Sequence, residues 1–371
     1  MAVPKQIRVA TFNVAMNRPT AGGLMQELQE GKSLQIRRVA EIIQRVRPDV
    51  ILLNEFDFEP TGDSIQLFQE KYLGAGQGGQ QPIKYDYSFS TEVNTGLPSG
   101  VDLNANGKTD DPNDALGFGN FPGQYGMLVL SKFPIDKKSV RTFQKFLWKD
   151  MPGAALPKQP GTDKNYFSDE ILKIFRLSSK NHWDVPIRVG DHTLHFLVAH
   201  PTPPVFDGPE DCNGLRNLDE IRLWADYIDP SRSEYLVDDN GKKGGLQPNS
   251  QFVIAGDMNA DPIDGDSSRG AILQLLEHPL IDSSKTPSSE GAVEQSRVSG
   301  GVNEHQKGDP AFDTGDFRDD TAGNMRIDYV LPSKNLQVVA AGVFWPKSDE
   351  EGFDLVKASD HRLVWIDVRI P

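Results

Sequence analysis

The stretch Pro48-Asp49-Val50-Ile51-Leu52-Leu53-Asn54-Glu55 decides how this chain folds. Val50 to Leu53 are apolar without alternation, which predicts a strand covered on both faces. The strand ends in two polar residues, Asn54 and Glu55. Just upstream, Ile36, Val39, Ala40, Ile43 and Val46 form one helical stripe, with Ser33 as its N-cap and Pro48 as its stop. Further upstream, Ile7 to Asn13 is a second strand. Strand, helix, strand over residues 7–54 is a βαβ unit, and its two strands are predicted to run parallel.

Five more apolar runs follow: Gly126 to Leu130, Thr193 to Ala199, Phe252 to Gly256, Ile327 to Leu331 and Arg362 to Val368. A second amphipathic helix, about Leu215 to Ile228, carries Leu218, Ile221, Ala225 and Ile228 on one face. Long segments rich in Gly, Pro, Asn and Asp separate these elements, at 57–123, 149–170, 230–250 and 282–323. They are predicted to be surface excursions that shape a site. Strong strands resume after each, so none is a clean interdomain linker. The expectation is one domain over 1–371, enlarged by these insertions.

The ends of the strands carry the chemistry. Asn13, Glu55, His200, Asp257 and Asn259 follow strands, whereas Tyr125, Asp328 and the pair Asp360-His361 precede them. If the second group of strands runs antiparallel to the first, all these side chains meet on one rim. Singly, each has an ordinary reading as a turn former or a solvated strand end. Together they are two imidazoles, several carboxylates, two carboxamides and a phenol. Oxygen ligands suit hard cations such as Mg²⁺ or Mn²⁺. Histidines transfer protons near neutral pH, and Asn and Tyr donate to phosphoryl oxygens. That set fits phosphoester hydrolysis by activated water. Neither a Gly-x-Ser-x-Gly nucleophile elbow nor a Gly-x-x-x-x-Gly-Lys phosphate loop is present.

Composition excludes other classes. The 371 residues include 39 Lys and Arg against 53 Asp and Glu, a formal charge of −14, which disfavours binding long polyanions by bulk charge. Apolar runs are strand-length, so no membrane span is expected. A single cysteine, Cys212, excludes an intrachain disulfide and a cysteine zinc cage. The opening Met-Ala-Val-Pro-Lys shows no signal peptide.

Six motifs occur in order: Thr11-Phe12-Asn13, Pro48 to Glu55, Gly126-Met127-Leu128-Val129-Leu130-Ser131-Lys132, Gly256-Asp257-Met258-Asn259, Arg326-Ile327-Asp328-Tyr329 and Ser359-Asp360-His361. In this series the chain resembles the endonuclease/exonuclease/phosphatase superfamily, which includes pancreatic deoxyribonuclease. The look is nearest to secreted bacterial phosphodiesterase and alkaline phosphatase members. The resemblance implies an α/β fold, a four-layer α/β sandwich with two mixed sheets face to face and helices outside. It implies Glu55 as the main metal ligand, assisted by Asn13 and Asp360. Asp257 would orient or deprotonate water, Asn259 would hold a phosphoryl oxygen, and Asp328 would pair with a cationic His361. His200 resembles the second histidine of the deoxyribonuclease and phosphatase branches, and Tyr125 lies where some branches contact phosphate.

Two further groups of residues stand out. Arg176, Lys180 and His182 lie in Phe175 to Pro186, just before the His200 strand, where their cations would face substrate phosphate. Asp102-x-Asn104-x-Asn106-Gly107-x-x-Asp110 follows the start of a calcium-loop pattern, without the glutamate expected at its twelfth position. A separate Ca²⁺ site is one expectation there and an ordinary Asn/Asp turn is the other.

The function expected is metal-dependent hydrolysis of a phosphoric ester, by a phosphodiesterase or phosphomonoesterase. The substrate would be a small molecule or a short nucleic-acid segment, and no protein partner is implied. A deoxyribonuclease-like extracellular nuclease and a noncatalytic metal-dependent binding protein on this fold are the alternatives. The compartment is not fixed by the sequence; the resemblance favours an extracellular or periplasmic location.

Overall fold

The apolar runs pair into two mixed β-sheets, here in a computed structural model that describes residues 6–370. The opening Met1 to Lys5, read for a targeting segment, lies outside the described residues, as do Pro371 and the side chain of Arg269. In chain order the strands are β1 (Ile7–Met16), β2 (Val50–Phe56), β3 (Tyr87–Phe89), β4 (Met127–Ser131), β5 (Arg141–Thr142), β6 (His182–Val189) and β7 (His192–Ala199). They continue with β8 (Gln251–Asp257), β9 (Gly315–Asp316), β10 (Asn324–Met325), β11 (Asp328–Pro332), β12 (Gln337–Val343) and β13 (Val364–Arg369). One sheet has the order β12-β13-β1-β2-β4-β3 and the other β11-β8-β7-β6-β5. The longer helices are α1 (Gly23–Glu30), α2 (Leu34–Val46), α3 (Cys212–Ile228) and α4 (Glu290–Ser299).

Side-chain alternation along the strands builds four layers. Val9, Leu52 and Val129 of the first sheet meet Val185, Phe196, Val198 and Val253 of the second in one core between the sheets. The opposite faces of the same strands carry Phe12, Ile51 and Leu53, which pack on Ile36, Val39 and Ile43 of α2. On the far side Leu197, Ile254 and Tyr329 pack on Ile221, Trp224 and Ile228 of α3. Each fully buried Leu, Ile or Phe contributes about 1.5–3 kcal/mol. Ser33 caps α2 by accepting the Ile36 N–H at 3.3 Å, and Arg47, with φ of 54°, ends it before Pro48.

Strand direction sets where the site lies. β1 and β2 are parallel, as are β7 and β8. β4 runs antiparallel to β2, β11 to β8 and β13 to β1. The polar ends of β1, β2, β7 and β8 and the polar starts of β4, β11 and β13 therefore share one rim. The two sheets meet there through Asn13 Nδ2, which donates to Asp257 Oδ2 at 3.0 Å, and Asn54 Nδ2, which donates to the Ala199 carbonyl at 3.4 Å.

Six strands were not foreseen, the short β3, β5, β9 and β10 and the longer β6 and β12. β6 interrupts its pattern with Asp184, Pro186 and Arg188, which hides the strand from a reading of periodicity. β12 is an edge strand of small residues with a register shift between Val338 and Ala340. The long segments are also less irregular than expected. Residues 57–123 hold a helix, Asp63–Phe68, extended by a π-helical turn, and β3, while α4 lies within 282–323. No helix among the described residues is long and apolar enough to cross a membrane.

Candidate active site at the sheet rim

The rim is built on unusual backbone. Glu55, Tyr125 and Asn259 adopt left-handed φ values of 60°, 56° and 51°. Such conformations cost about 1–3 kcal/mol each and persist where surrounding structure enforces them. Gly256 has a φ of 154°, and a Cβ there would lie 2.0 Å from the Ala199 carbonyl oxygen. Only glycine lets β8 approach the end of β7 so closely, which brings Asp257 to His200.

Asp257 is the centre of the arrangement. Its Oδ2 lies 3.3 Å from His200 Nε2 and 3.6 Å from His361 Nε2, and it accepts from Asn13. Its Oδ1 accepts the Asn259 N–H at 3.0 Å, and its own N–H donates to Asn54 Oδ1 at 3.3 Å. Burial disfavours its charge, but the two imidazoles outweigh burial and hold Asp257 well below the usual carboxylate range. His361 Nδ1 lies 2.9 Å from Asp328 Oδ2, which also accepts the Thr314 hydroxyl at 2.9 Å. Burial opposes charge on His361 too, yet Asp328 and Asp257 raise its pKa far above the ordinary histidine value. His200 goes the other way. Burial lowers its pKa, the charge of Lys180 lowers it further, and Asp257 opposes both more weakly. At neutral pH the rim thus holds one neutral and one cationic imidazole around a single carboxylate.

The remaining predicted residues fall into two groups. Glu55 is half-buried at the end of β2 and accepts from Asn17 Nδ2 at 2.6 Å. Asp360 is 55% exposed, with Oδ1 3.9 Å from His361 Nε2. Asn259 Nδ2 donates to the Pro201 carbonyl at 3.1 Å, which ties it to the segment after His200. Tyr125 is half-buried, and its N–H donates to Asp57 Oδ1 at 3.0 Å. Lys180 is buried, and the charges of Glu220, Glu55 and Asp257 act on its ammonium.

Arg176 and His182 do not join the rim. Arg176 Nη1 donates to Asn94 Oδ1 at 2.7 Å. His182 is packed against Trp224, with Nδ1 2.6 Å from Ser178 Oγ and Nε2 2.8 Å from the Glu220 carbonyl. Residue 182 opens a strand whose even-numbered side chains face α3, so its ring points into the protein. Burial pushes its pKa down to about 4. In the 102–110 segment, Asp102 accepts the N–H groups of Asn106 and Gly107 at 3.0 and 2.7 Å. Asn104 and Asn106 accept the N–H groups of Asn106 and Lys108 at 3.1 and 2.8 Å, and Asp110 is exposed without a hydrogen bond among the described residues. The oxygens of Asp102, Asn104 and Asn106 thus hold the turn itself.

Several contributors were missed. Asn17 holds Glu55, Thr314 holds Asp328, and Asp57 fixes Tyr125, with burial pushing the Asp57 carboxyl up to about 7. Glu220 of α3 accepts the Ser179 and Thr202 N–H groups at 2.6 Å each, which ties α3 to the His200 segment. None of the four sits in a motif; Glu220 is signalled only as a charge on the buried side of α3. For a metal, the oxygen-rich donors Glu55, Asn13 and Asp360 suit a hard divalent cation. Asp257, Asp328 and His361 also bring ligand-type atoms within 4.8 Å of one another, close enough to hold a metal ion.

Comparison with known proteins agrees with this architecture. The solved endonuclease/exonuclease/phosphatase from Beutenbergia cavernae is similar over 99% of this chain and 72% of its own, at 18% identity and a TM-score of 0.54. Sphingomyelinase C from Streptomyces griseocarneus matches 98% of this chain and 99% of its own, at 14% identity and a TM-score of 0.48. A mannosyl-6-phosphatase from Bacteroides thetaiotaomicron covers 98% and 100%, at 12% identity and a TM-score of 0.48. No curated protein matches by sequence. The sequence profile of the Endonuclease/Exonuclease/phosphatase family matches residues 10–361, from the first rim strand to His361, and the chain belongs to that family.

Proposed function

We propose that the rim hydrolyses phosphoric esters, diesters or monoesters, with Mg²⁺ or Mn²⁺, and that residues 1–371 act as one catalytic domain. The observation that carries this reading is the pair of unlike imidazoles sharing Asp257 Oδ2, at 3.3 and 3.6 Å. Glu55 would hold the cation, with Asn13 and Asp360. A bound divalent cation supplies Lewis-acid stabilisation of the charge on the phosphoryl oxygens. Asp257, a weak base at its lowered pKa, orients the attacking water. Neutral His200 donates its Nε2–H to the same carboxylate oxygen and fixes it towards the water, whose released proton passes to the Asp257 carboxylate. His361, held cationic by Asp328, directs Nε2 to the developing negative charge. Asn259 uses one side-chain N–H on Pro201 and keeps the other for a phosphoryl oxygen.

The test is hydrolysis of bis-p-nitrophenyl phosphate and p-nitrophenyl phosphate with and without EDTA. Activity is expected to vanish with EDTA and in Glu55→Ala, and to return to the wild type with Mg²⁺ or Mn²⁺. Metal-independent turnover, or full activity in Glu55→Ala, would sink the metal role. Adding plasmid DNA and a choline phospholipid to the panel separates a nuclease from a lipid or small-ester hydrolase. The −14 charge argues against a long nucleic-acid track.

A further inference from the structure

We infer that Lys180 is a catalytic residue of this site, whose ammonium holds a non-bridging oxygen of the substrate phosphate beside His200. The inference rests on the phosphoester reading and adds a contact to it.

The sequence offers three cations in one stretch, and the structure treats them differently. Arg176 is bonded to Asn94 and His182 has both ring nitrogens engaged. The neighbouring buried cation, Arg216, donates to the carbonyls of Leu177, Leu116 and Arg176 at 2.8, 2.7 and 3.0 Å. Lys180 is 7% exposed, yet its Nζ has neither a hydrogen bond nor an ion pair among the described residues. The Lys180 stem is buried while Nζ itself is not among the fully buried atoms, so its three donors stay open to an incoming ligand.

Its position explains where the partner comes from. The Lys180 backbone is fixed, since its carbonyl accepts the Asn94 N–H at 2.9 Å and the preceding Ser179 N–H donates to Glu220. His182 pairs with Ala199 in the antiparallel β6–β7 register, so Lys180 runs alongside the segment that enters His200 and Pro201. The charges around it come from Glu220 and Arg216 of α3, Glu55 of β2, Asp257 of β8 and His200. No carboxylate lies within ion-pairing distance of Nζ among the described residues, and both Glu220 oxygens already accept backbone N–H groups. The acceptor that suits Lys180 is an anion between Glu55, Asp257 and His200, where the phosphoryl group would sit. Diesters and monoesters both present a non-bridging oxygen there.

Orthophosphate is the probe, with Lys180→Met and Lys180→Arg made in the full chain. Phosphate affinity is measured by calorimetry in wild type and in Glu55→Ala with EDTA, which removes any metal-held contribution. Lys180→Met is expected to weaken phosphate binding about tenfold in both backgrounds and to lower kcat/KM about 10²-fold, with Lys180→Arg recovering part of each. A folded Lys180→Met that binds phosphate like its parent would overturn the contact and leave the hydrolase reading standing. Phosphate binding that depends on Lys180, in a protein that hydrolyses no ester, would support the contact and defeat the hydrolase reading. If Lys180→Met does not fold, Lys180→Gln is compared by the same calorimetry and the same two outcomes decide.

Discussion

Two regions beside the end of β7 bury histidine, carboxylate and basic groups almost back to back. Under α3 every such group has a partner. His182 is bonded at both nitrogens, Arg216 binds three carbonyls, and Glu220 accepts two backbone N–H groups. Asp219 accepts Trp148 Nε1 at 2.7 Å and the Ala155 N–H at 2.6 Å. At the rim, by contrast, His200 Nδ1 and Asp328 Oδ1 are buried without partners, and Lys180 Nζ makes no hydrogen bond among the described residues. Burial alone therefore does not mark a catalytic group. Unused hydrogen-bonding capacity is no marker by itself either, since Trp224 Nε1 and Asn217 Oδ1 of α3 are also buried without partners; at the rim it coincides with charged groups gathered at the ends of the strands.

The largest expected effect breaks the comparison on the rim side. Asp257→Asn removes the charge shared by both imidazoles, and kcat is expected to fall about 10³-fold or more. Thermal unfolding of the same variant checks that the loss is not misfolding. An Asp257→Asn enzyme with wild-type kcat would show that the shared carboxylate is not at the chemistry.

A smaller effect lies on the structural side and is read as stability. The folded His182 has a pKa of about 4, below the ordinary 6.5. Between those values the unfolded chain takes up a proton that the buried ring refuses, so stability falls as pH drops through this window. The difference amounts to about 3 kcal/mol at most. His182→Gln is expected to flatten the acid side of the denaturation-midpoint profile between pH 6.5 and 4. Activity per folded molecule should change little. A large kcat loss at unchanged stability would place His182 in the chemistry after all.

The smallest effect tests the support of Glu55, the proposed metal ligand. Asn17→Ala removes the 2.6 Å bond to Glu55 and is expected to weaken activation by Mg²⁺ about tenfold. Titration of activity against Mg²⁺ measures it, and an unchanged midpoint would free Glu55 from this support.

The sequence by itself determined strands covered on both faces and their polar ends, and the resemblance carried by its six motifs implied the sandwich. Unbroken apolar runs such as Val50 to Leu53 permit only burial on both faces, and the βαβ unit fixes parallel β1 and β2. Those are local consequences of side-chain period and chirality, which neighbouring residues carry. It could not sort Arg176, Lys180 and His182, which look alike in a string. Only the tertiary structure decided that sorting, since the pairing of β6 with β7 and the cover of α3 lock Arg176 and His182 into internal bonds and leave Lys180 without a hydrogen bond among the described residues, in the field of Asp257. The same holds for the opposite charge states of His200 and His361. Burial and the charge of Lys180 keep His200 neutral against the pull of Asp257, whereas Asp328 and Asp257 hold His361 cationic, and all of these desolvation and Coulomb effects exist only once the rim has closed.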